Sequence, residues 1–186
     1  MTGIDLTEEF VEVANSLTEM LKLEGLVEFK KASALNLPFE SETFDRASMI
    51  HVGMNIADKA GVFREVRRVL KSGGLFAVFD MIRTAEGPLR YPVPWALDDE
   101  TSFVADVKTY RDAMQSAGFR VDQVRSQKAS AVEATKQAMA RMTQAGPPVL
   151  GLQLLMGEKT QPMVANVLAM IQDGLLEPVE MIALAA

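Results

Sequence analysis

Residues 75–82, LFAVFDMI, are apolar except for Asp80. A nearly continuous apolar strand is typical of the interior of a parallel sheet, where helices cover both faces of the strand. Parallel strands need long crossover connections, and helical apolar spacing recurs before and after this segment, including a helix predicted over residues 101–117. Strands alternate with helices along the chain, so we expect an α/β fold with a mostly parallel, doubly wound sheet and helices on both faces.

The first ten residues, MTGIDLTEEF, place an acid between a short apolar run and the start of a helix. In open α/β sheets, an acid at the carboxyl end of the second strand commonly holds the ribose of a nucleotide, about 20 residues after a glycine-rich turn. Asp5 is the acid here, but only four residues precede it and the chain contains no Gly-x-Gly. Because Asp and Thr also favour helix starts, Asp5, Leu6 and Thr7 are equally compatible with simple capping.

Composition narrows the classes of protein and partner. With 186 residues, 48% of them hydrophobic, the chain has the length of one globular domain. A net charge of −6 argues against a nucleic-acid partner. No apolar run approaches the ~20 residues of a membrane span, and the acidic start does not resemble a signal peptide, so we expect a cytoplasmic protein without a membrane partner. With no cysteine and one histidine, no metal site is expected.

Four segments occur in a characteristic order: GIDLTEEFVEVA, ASALNLPFESETFDRASMIHVGMNI, FREVRRVLKSGGLFAVFD and SAGFRVDQV. This order resembles the class I S-adenosylmethionine-dependent methyltransferases of the small-molecule, methyltransferase-11 type. The resemblance covers most of residues 3–125 and returns at the last apolar strand. The succession of LPF, FD and R-x-L-K-x-G-G at these separations is its most specific part.

The resemblance implies a Rossmann-like enzyme that binds S-adenosylmethionine and transfers its methyl group to a small-molecule acceptor. The family's ribose-binding acid falls on Asp5, and the adenine contact falls on the pair before the LPF loop. Residues after the fourth strand face the methionine part and the acceptor. The implied cofactor-binding residues are Asp5, Leu6, Ser33, Ala34, Ile50 and His51, and Asn55 is implied on the acceptor side.

Three features depart from the family pattern. Ser33 stands where many relatives have an aspartate that accepts the adenine amino group, although its hydroxyl can still accept a hydrogen bond. Ser72 replaces the proline of the usual KPGG turn. The third departure is the absent glycine loop, which implies that the sequence begins at the family's second strand, without the first strand and helix.

That departure has a structural consequence. In the family's sheet the first strand lies between the second and the fourth, so its absence would leave two edges with unpaired backbone groups. We expect these exposed edges to pair directly or with a second copy, and therefore predict a homodimer or other homo-oligomer.

The residues on the predicted acceptor side have two interpretations each. His51 can act as a proton acceptor, or it can be an ordinary residue at the rim of the core, because methyl transfer from a sulfonium needs positioning and desolvation more than a base. Tyr91 and Trp95 can line an acceptor pocket or fasten their loop to the core.

The sequence therefore predicts a single methyltransferase-like domain over residues 1–186, with substrate-side or cap segments at 85–110 and 129–174. Two alternatives remain open. One is a catalytically silent remnant that serves as a dimerisation or binding module, which the absent glycine loop favours. The other is an NAD-dependent dehydrogenase, because an acid after the second strand serves NAD equally well, although the spacing from LPF to KSGG argues against it.

Overall fold

The computed structural model describes residues 1–146 and 150–186, and six strands and six α-helices lie within them. The strands are Thr2–Asp5 (β1), Glu28–Lys31 (β2), Phe44–Ile50 (β3), Leu70–Arg83 (β4), Phe119–Ser126 (β5) and Leu176–Ala185 (β6). The helices are Glu8–Met20 (α1), Lys59–Val69 (α2), Val107–Ser116 (α3), Lys128–Ala145 (α4), Gln153–Met156 (α5) and Thr160–Gln172 (α6).

Four strands form one sheet in the order β3-β4-β6-β5. β3 is parallel to β4, and β6 is antiparallel to both β4 and β5, so β3, β4 and β5 share one direction. β1 and β2 form a separate parallel pair in which Thr2 lies opposite Glu28. The predicted α/β class is confirmed, and the four-stranded sheet is mixed, because β6 runs against β3, β4 and β5.

The connection between β2 and β3 shows how the two sheets are oriented. It leaves the carboxyl end of β2 and passes Leu35, which lies against Gly61 in the first turn of α2. It then reaches Phe39, whose carbonyl accepts a hydrogen bond from Arg68 in the last turn of α2, at 2.6 Å. α2 begins shortly after β3 ends, so a segment that follows α2 from start to end leads to the amino end of β3. β1, β2 and β3 therefore point the same way.

Helices α1 and α2 cover opposite faces of the molecule. α1 connects β1 to β2, and α2 connects β3 to β4, in both cases between parallel strands. Such crossovers are right-handed in nearly all proteins. Because the two connections lead away from the gap between β1 and β3 in opposite directions, right-handed crossovers place their helices on opposite faces, as in a doubly wound fold.

The main core lies between the four-stranded sheet and helices α2 and α3. Its largest side chains are fully or almost fully buried, and their aromatic rings pack together. The ring centre of Phe63 lies 5.9 Å from that of Phe76 and 5.8 Å from that of Tyr110, and the ring centres of Phe76 and Phe119 are 5.4 Å apart. On β4, Phe76 faces this core, whereas Leu75 on the opposite face is only half-buried. The predicted central strand is thus packed more completely on one face than on the other.

A second, smaller core holds the connection after β4 against α6 and β6. Its buried members are Met54, Met81, Val93, Ala96, Met170, Ile171 and Leu176. Because Met54 belongs to the loop after β3, this core connects the end of β3 to the segment predicted to lie on the substrate side. Residues 147–149 of the predicted 129–174 cap segment lie outside the described residues.

The helix predicted over residues 101–117 is shorter than expected. α3 begins at Val107, because the side chain of Asp106 accepts a hydrogen bond from the N–H of Thr109 at 2.7 Å and caps the helix there. Residues 101–105 precede the helix, and Phe103 donates its N–H to the carbonyl of Met54 instead. In the part of the chain that the structure describes, no helix is long and apolar enough to cross a membrane.

Candidate functional site

The carboxyl ends of β1 and β2 lie side by side, because the carbonyl of Asp5 accepts a hydrogen bond from the N–H of Ala32 at 2.9 Å. The Asp5 carboxylate accepts the N–H of Thr7 at 2.8 Å, so it closes the turn into α1. Thr7 occupies the N-cap position but makes no capping hydrogen bond with its own side chain. Asp5 is exposed, and a carboxylate has about four lone-pair sites, so it can accept further donors.

A tight turn follows β2 at the same edge. The carbonyl of Ser33 accepts the N–H of Asn36 at 3.0 Å, and its Oγ accepts the N–H of Leu35 at 3.2 Å. The hydroxyl proton of Ser33 remains available to a ligand acceptor. Ala34 is half-buried and packs against the main core, so it offers a small apolar surface next to that hydroxyl.

The chain turns sharply after β3. His51 has a φ of 53°, a left-handed conformation that is uncommon outside glycine. Its N–H donates to the carbonyl of Phe79 at 2.8 Å, and its ring meets the Phe79 ring edge-on at 4.9 Å. Asn55 donates weakly from Nδ2 to the His51 carbonyl at 3.5 Å. Ile50, 62% exposed, presents an apolar side chain at the end of the strand.

A buried polar pair, Asp80 on β4 and Tyr110 on α3, packs against this turn. Asp80 and Tyr110 are both 0% exposed, and the Tyr110 hydroxyl donates to Asp80 Oδ2 at 2.7 Å. Burial raises the pKa of Asp80 and the pKa of Tyr110. A Cβ added to Gly53 would lie 2.4 Å from both Asp80 Oδ2 and the Tyr110 oxygen, so only glycine allows the turn to rest on this pair. Asp80 and Tyr110 are positioning residues for the turn.

Lys59 adds a buried cation on the other side of Tyr110. Its Nζ donates to the carbonyls of Ile56 and Phe103, at 2.5 and 2.8 Å, and lies 5.5 Å from the centre of the Tyr110 ring. Burial lowers the pKa of Lys59 to about 8, against a smaller opposing effect of the Asp80 charge. Lys59 thereby connects the turn after β3 to the segment before α3.

Tyr91 and Trp95 lie in the connection that follows β4. Both are half-buried and pack against the second core, and the Trp95 indole N–H donates to Ser102 Oγ at 3.0 Å. These contacts fasten the connection, as one of the two interpretations predicts. Met54 belongs to the same core and follows the turn after β3, so this core connects Tyr91 and Trp95 to that turn.

The site residues predicted from the sequence thus fall into two groups: Tyr91 and Trp95 pack against the second core, and the others lie at the ends of strands. Asp5, Leu6, Ser33, Ala34, Ile50, His51 and Asn55 lie at or just past the carboxyl ends of β1, β2 and β3. The residues that support the turn were not predicted, namely Gly53, Lys59, Asp80 and Tyr110. Asp80 was the available signal, because a lone acid in an apolar central strand must find a buried partner.

Polar groups at the carboxyl ends of parallel strands, with crossovers leading to opposite faces, define a Rossmann-like nucleotide-binding class of site. Residues 1–78 match the model of a family described as "methyltransferase domain". The chain is 34% identical over 82 residues to erythromycin 3''-O-methyltransferase of Saccharopolyspora erythraea, a match that covers 44% of this chain and 27% of that protein.

Solved structures agree with these sequence matches. Geranyl diphosphate C-methyltransferase of Streptomyces coelicolor A3(2), in complex with Mg²⁺, geranyl diphosphate and S-adenosyl-L-homocysteine, superposes with a TM-score of 0.78 at 15% identity, covering 100% of this chain and 62% of that chain. Phosphoethanolamine N-methyltransferase 2 of Haemonchus contortus, in complex with S-adenosyl-L-methionine, gives a TM-score of 0.77 at 17% identity, covering 98% and 42%. This chain therefore spans less than two thirds of each relative named here.

The predicted resemblance to the class I methyltransferases, whose cofactor is S-adenosylmethionine, is confirmed. The residues at these strand ends fit the nucleoside part of that cofactor. Asp5 offers acceptors for ribose hydroxyls, and Ser33 and Ala34 offer a hydroxyl beside an apolar surface for a base. The amino-acid part would extend toward the space between β1 and β3. Among the described residues, no strand occupies that space.

Proposed function

We propose that this chain is the cofactor-binding portion of an S-adenosylmethionine-dependent methyltransferase that acts on a small-molecule acceptor. The observation that carries the proposal is the convergence of Asp5, Ser33 and the turn at His51 on the carboxyl edge of three parallel strands. This is where open α/β sheets bind nucleotides. The three relatives named above are methyltransferases by name and support the same chemistry.

Each residue has a distinct role in this proposal. Asp5 accepts hydrogen bonds from the ribose, while its bond to the Thr7 N–H holds the carboxylate in place. Ser33 and Ala34 contact the adenine, Leu6 covers the ribose side, and Ile50 excludes water near the methyl donor. When bound, the cofactor supplies an activated methyl group on a sulfonium. His51 receives the acceptor's proton where the attacking atom carries one.

The acceptor lies on the side of the second core. Segments 85–110 and 129–174 form its cap, and Asn55, Tyr91 and Trp95 face it. Two contacts support this placement. The N–H of Phe103 donates a hydrogen bond to the carbonyl of Met54, and Tyr91 and Trp95 pack on the core that contains Met54. The acceptor therefore meets the cofactor across the turn that Asp80 and Tyr110 hold.

The unfilled space between β1 and β3 favours a second candidate, a catalytically silent binding or dimerisation module. The homo-oligomer predicted through exposed edges belongs to this candidate and stays a prediction, as does the cytoplasmic location. A nicotinamide dehydrogenase is not proposed, because the matched family and the relatives named above are methyltransferases.

Calorimetric titration with S-adenosylhomocysteine, which cannot be turned over, tests the proposal. Asp5→Asn keeps an oxygen for the Thr7 N–H but removes the charge that the ribose hydroxyls would meet, so we expect affinity to fall about tenfold, or about 1.4 kcal/mol. Glu9→Gln removes an equally exposed charge from the first turn of α1 and is the matched control. Equal affinity in wild type and Asp5→Asn would remove the ribose role from Asp5.

A further inference from the structure

The turn after β3 holds the segment before α3 through the backbone of Phe103. The N–H of Phe103 donates to the carbonyl of Met54 at 2.8 Å, and the carbonyl of Phe103 accepts a hydrogen bond from Lys59 Nζ at 2.8 Å. Lys59 Nζ also donates to the carbonyl of Ile56 at 2.5 Å. Both backbone polar groups of Phe103 are therefore bonded to residues 54–59.

The same turn contributes Ile50 and His51 to the proposed cofactor site. Both residues are exposed, so a ligand can reach them. They lead directly into a short helical turn of residues 53–55, which the N–H of Ile56 closes by donating to the carbonyl of Gly53 at 3.0 Å. Residues 50–56 thus form one compact unit that reaches from the cofactor site to the bonds of Phe103.

The acceptor side of the proposed site begins at residues 102–104. Ser102 Oγ accepts the indole N–H of Trp95 at 3.0 Å, and Val104 packs against the second core together with Tyr91. Phe103 lies between these two residues, and its ring is 39% exposed. The position of Phe103 therefore affects the surface that an acceptor would meet.

The ammonium of Lys59 is placed where an uncharged side chain would be less costly. Lys59 is 6% exposed, and among the described residues it forms no ion pair with a carboxylate. Burial of an unpaired charge is unfavourable, and methionine could fill a similar space without that cost. What a methionine could not do is donate hydrogen bonds to the carbonyls of Ile56 and Phe103. The distinctive contribution of the ammonium is therefore to join these two segments.

Helix α3 does not depend on this link. The N–H of Arg83 donates to the carbonyl of Ala105 at 2.9 Å, and the Asp106 side chain caps α3. The chain is therefore fixed by other bonds only two residues after Phe103. Removal of the Lys59 ammonium should loosen residues 102–104 and leave α3 in place.

We propose that Lys59 is a positioning residue that couples cofactor binding at the turn after β3 to the ordering of residues 102–104 on the acceptor side. The inference rests on the proposed function, which places the cofactor at Ile50 and His51. A ligand that contacts these residues restricts the motion of the turn. The bonds of Lys59 to Ile56 and Phe103 transmit that restriction, so the acceptor side becomes more ordered when the cofactor is bound.

Hydrogen exchange at single amides of the 186-residue chain measures this coupling. The chain is compared without ligand and with saturating S-adenosylhomocysteine, and calorimetry establishes saturation. The N–H of Phe103 reports on the acceptor side, and the N–H of Ile56 reports on the turn. We expect the ligand to slow exchange at both amides about fivefold, a ratio at the low end of typical couplings between sites.

Lys59→Met removes the link and keeps an apolar stem in the same place. Phe103 retains its bond to Met54, so the segment stays attached, but we expect the ligand to slow exchange at Phe103 by less than about twofold in this variant. Slowing at Ile56 should remain about fivefold. Affinity for S-adenosylhomocysteine should change by less than about twofold, because Lys59 makes no direct contact with the ligand in this proposal.

Lys108→Met is the matched control. It makes the same substitution at an exposed lysine on α3 and removes only a surface ion pair with Asp112. The ligand should slow exchange at Phe103 about fivefold in this variant, as in the wild type. The N–H of Tyr110 donates to Asp106 at 3.2 Å, and its exchange establishes that α3 is folded in both variants.

The outcomes distinguish this coupling from a purely structural role of Lys59. A structural role would speed exchange at Phe103 equally with and without ligand, so an unchanged fivefold ratio in Lys59→Met overturns the proposal. Ligand binding to the wild type without slower exchange at Phe103 also overturns it, independently of any variant, and leaves the proposed function intact. Absence of binding in the calorimeter overturns the proposed function and this inference together.

Discussion

The four-stranded sheet and the β1–β2 pair differ in how completely their apolar side chains are buried. The four-stranded sheet has a core of buried aromatic and aliphatic side chains, including Phe63 and Tyr110 at 0% exposure. The β1–β2 pair carries α1, which buries Val11 and Thr18 but exposes Phe10 and Leu17 by 49% each. A two-stranded unit is marginal on its own. The difference teaches that the four-stranded sheet is stabilised by its own buried core, whereas the β1–β2 pair and α1 leave much of their apolar surface exposed.

The same Phe-to-Ala substitution in each region is the strongest test of this comparison. Phe63→Ala removes a fully buried ring that contacts Phe76 and Tyr110, and should cost about 4 kcal/mol of unfolding free energy. Phe10→Ala, on the exposed surface of α1, should cost less than about 1 kcal/mol. Urea denaturation measures both. Comparable losses would mean that α1 is packed as firmly as α2.

The buried Lys59 ammonium, which lies in the four-stranded region, predicts that the stability of this region depends on pH. The pKa of Lys59 falls to about 8 in the folded protein from 10.5, so between these values the unfolded state binds more protons and stability rises with pH. The full gain is roughly 3 kcal/mol, because the pKa falls by about 2.5 units. Thermal melts of wild type and Lys59→Met from pH 7 to 10.5 measure it. Parallel pH curves for the two proteins would contradict the burial of this ammonium.

Removing the hydroxyl of Tyr110 tests how the turn after β3 is held. Tyr110→Phe removes the donor to Asp80 Oδ2 and leaves the bond from the Met81 N–H to Oδ1, at 3.0 Å. The change should cost about 1.5 kcal/mol and raise the pKa of Asp80 further. A carboxyl with a raised pKa loses stability as pH rises through that value, so the deficit of the variant should be smaller in acid. A deficit that is independent of pH would assign the loss to packing alone.

The smallest effect concerns the β1–β2 pair. Asn15→Ala removes both bonds to Phe29 at the outer edge of β2 and should cost about 1 kcal/mol. Because this pair is the less stable region, the loss should appear as faster amide exchange at Phe29 while exchange in β4 is unchanged. Faster exchange in both regions would show that the two unfold together, and would remove the distinction drawn above.

Much of the architecture could be predicted because its signals are local. In the sequence, Val27 and Phe29 alternate with Glu28 and Lys30, a pattern typical of a strand that is wet on one face, and β2 is an edge strand. The apolar run before Asp80 indicated the buried strand β4. The long helix ending at Ala117 was overestimated, since the Asp106 cap was not recognised as its start.

The supporting residues of the site could not be predicted in the same way. Lys59, Asp80 and Tyr110 lie on α2, β4 and α3, and only the packing of these elements brings them together. Their contact depends on Gly53, whose missing side chain gives no pattern in a sequence. Asp5 could be predicted as a site residue because a family resemblance implied its role, which stays a prediction, and the structure adds the bond to Thr7 that orients its carboxylate.

Titration of the 186-residue chain with S-adenosylhomocysteine tests the central claim most directly. The account predicts saturable binding, weakened about tenfold by Asp5→Asn and unaffected by Glu9→Gln. Absence of binding at millimolar ligand would contradict a cofactor-binding function and leave the silent binding module as the better description.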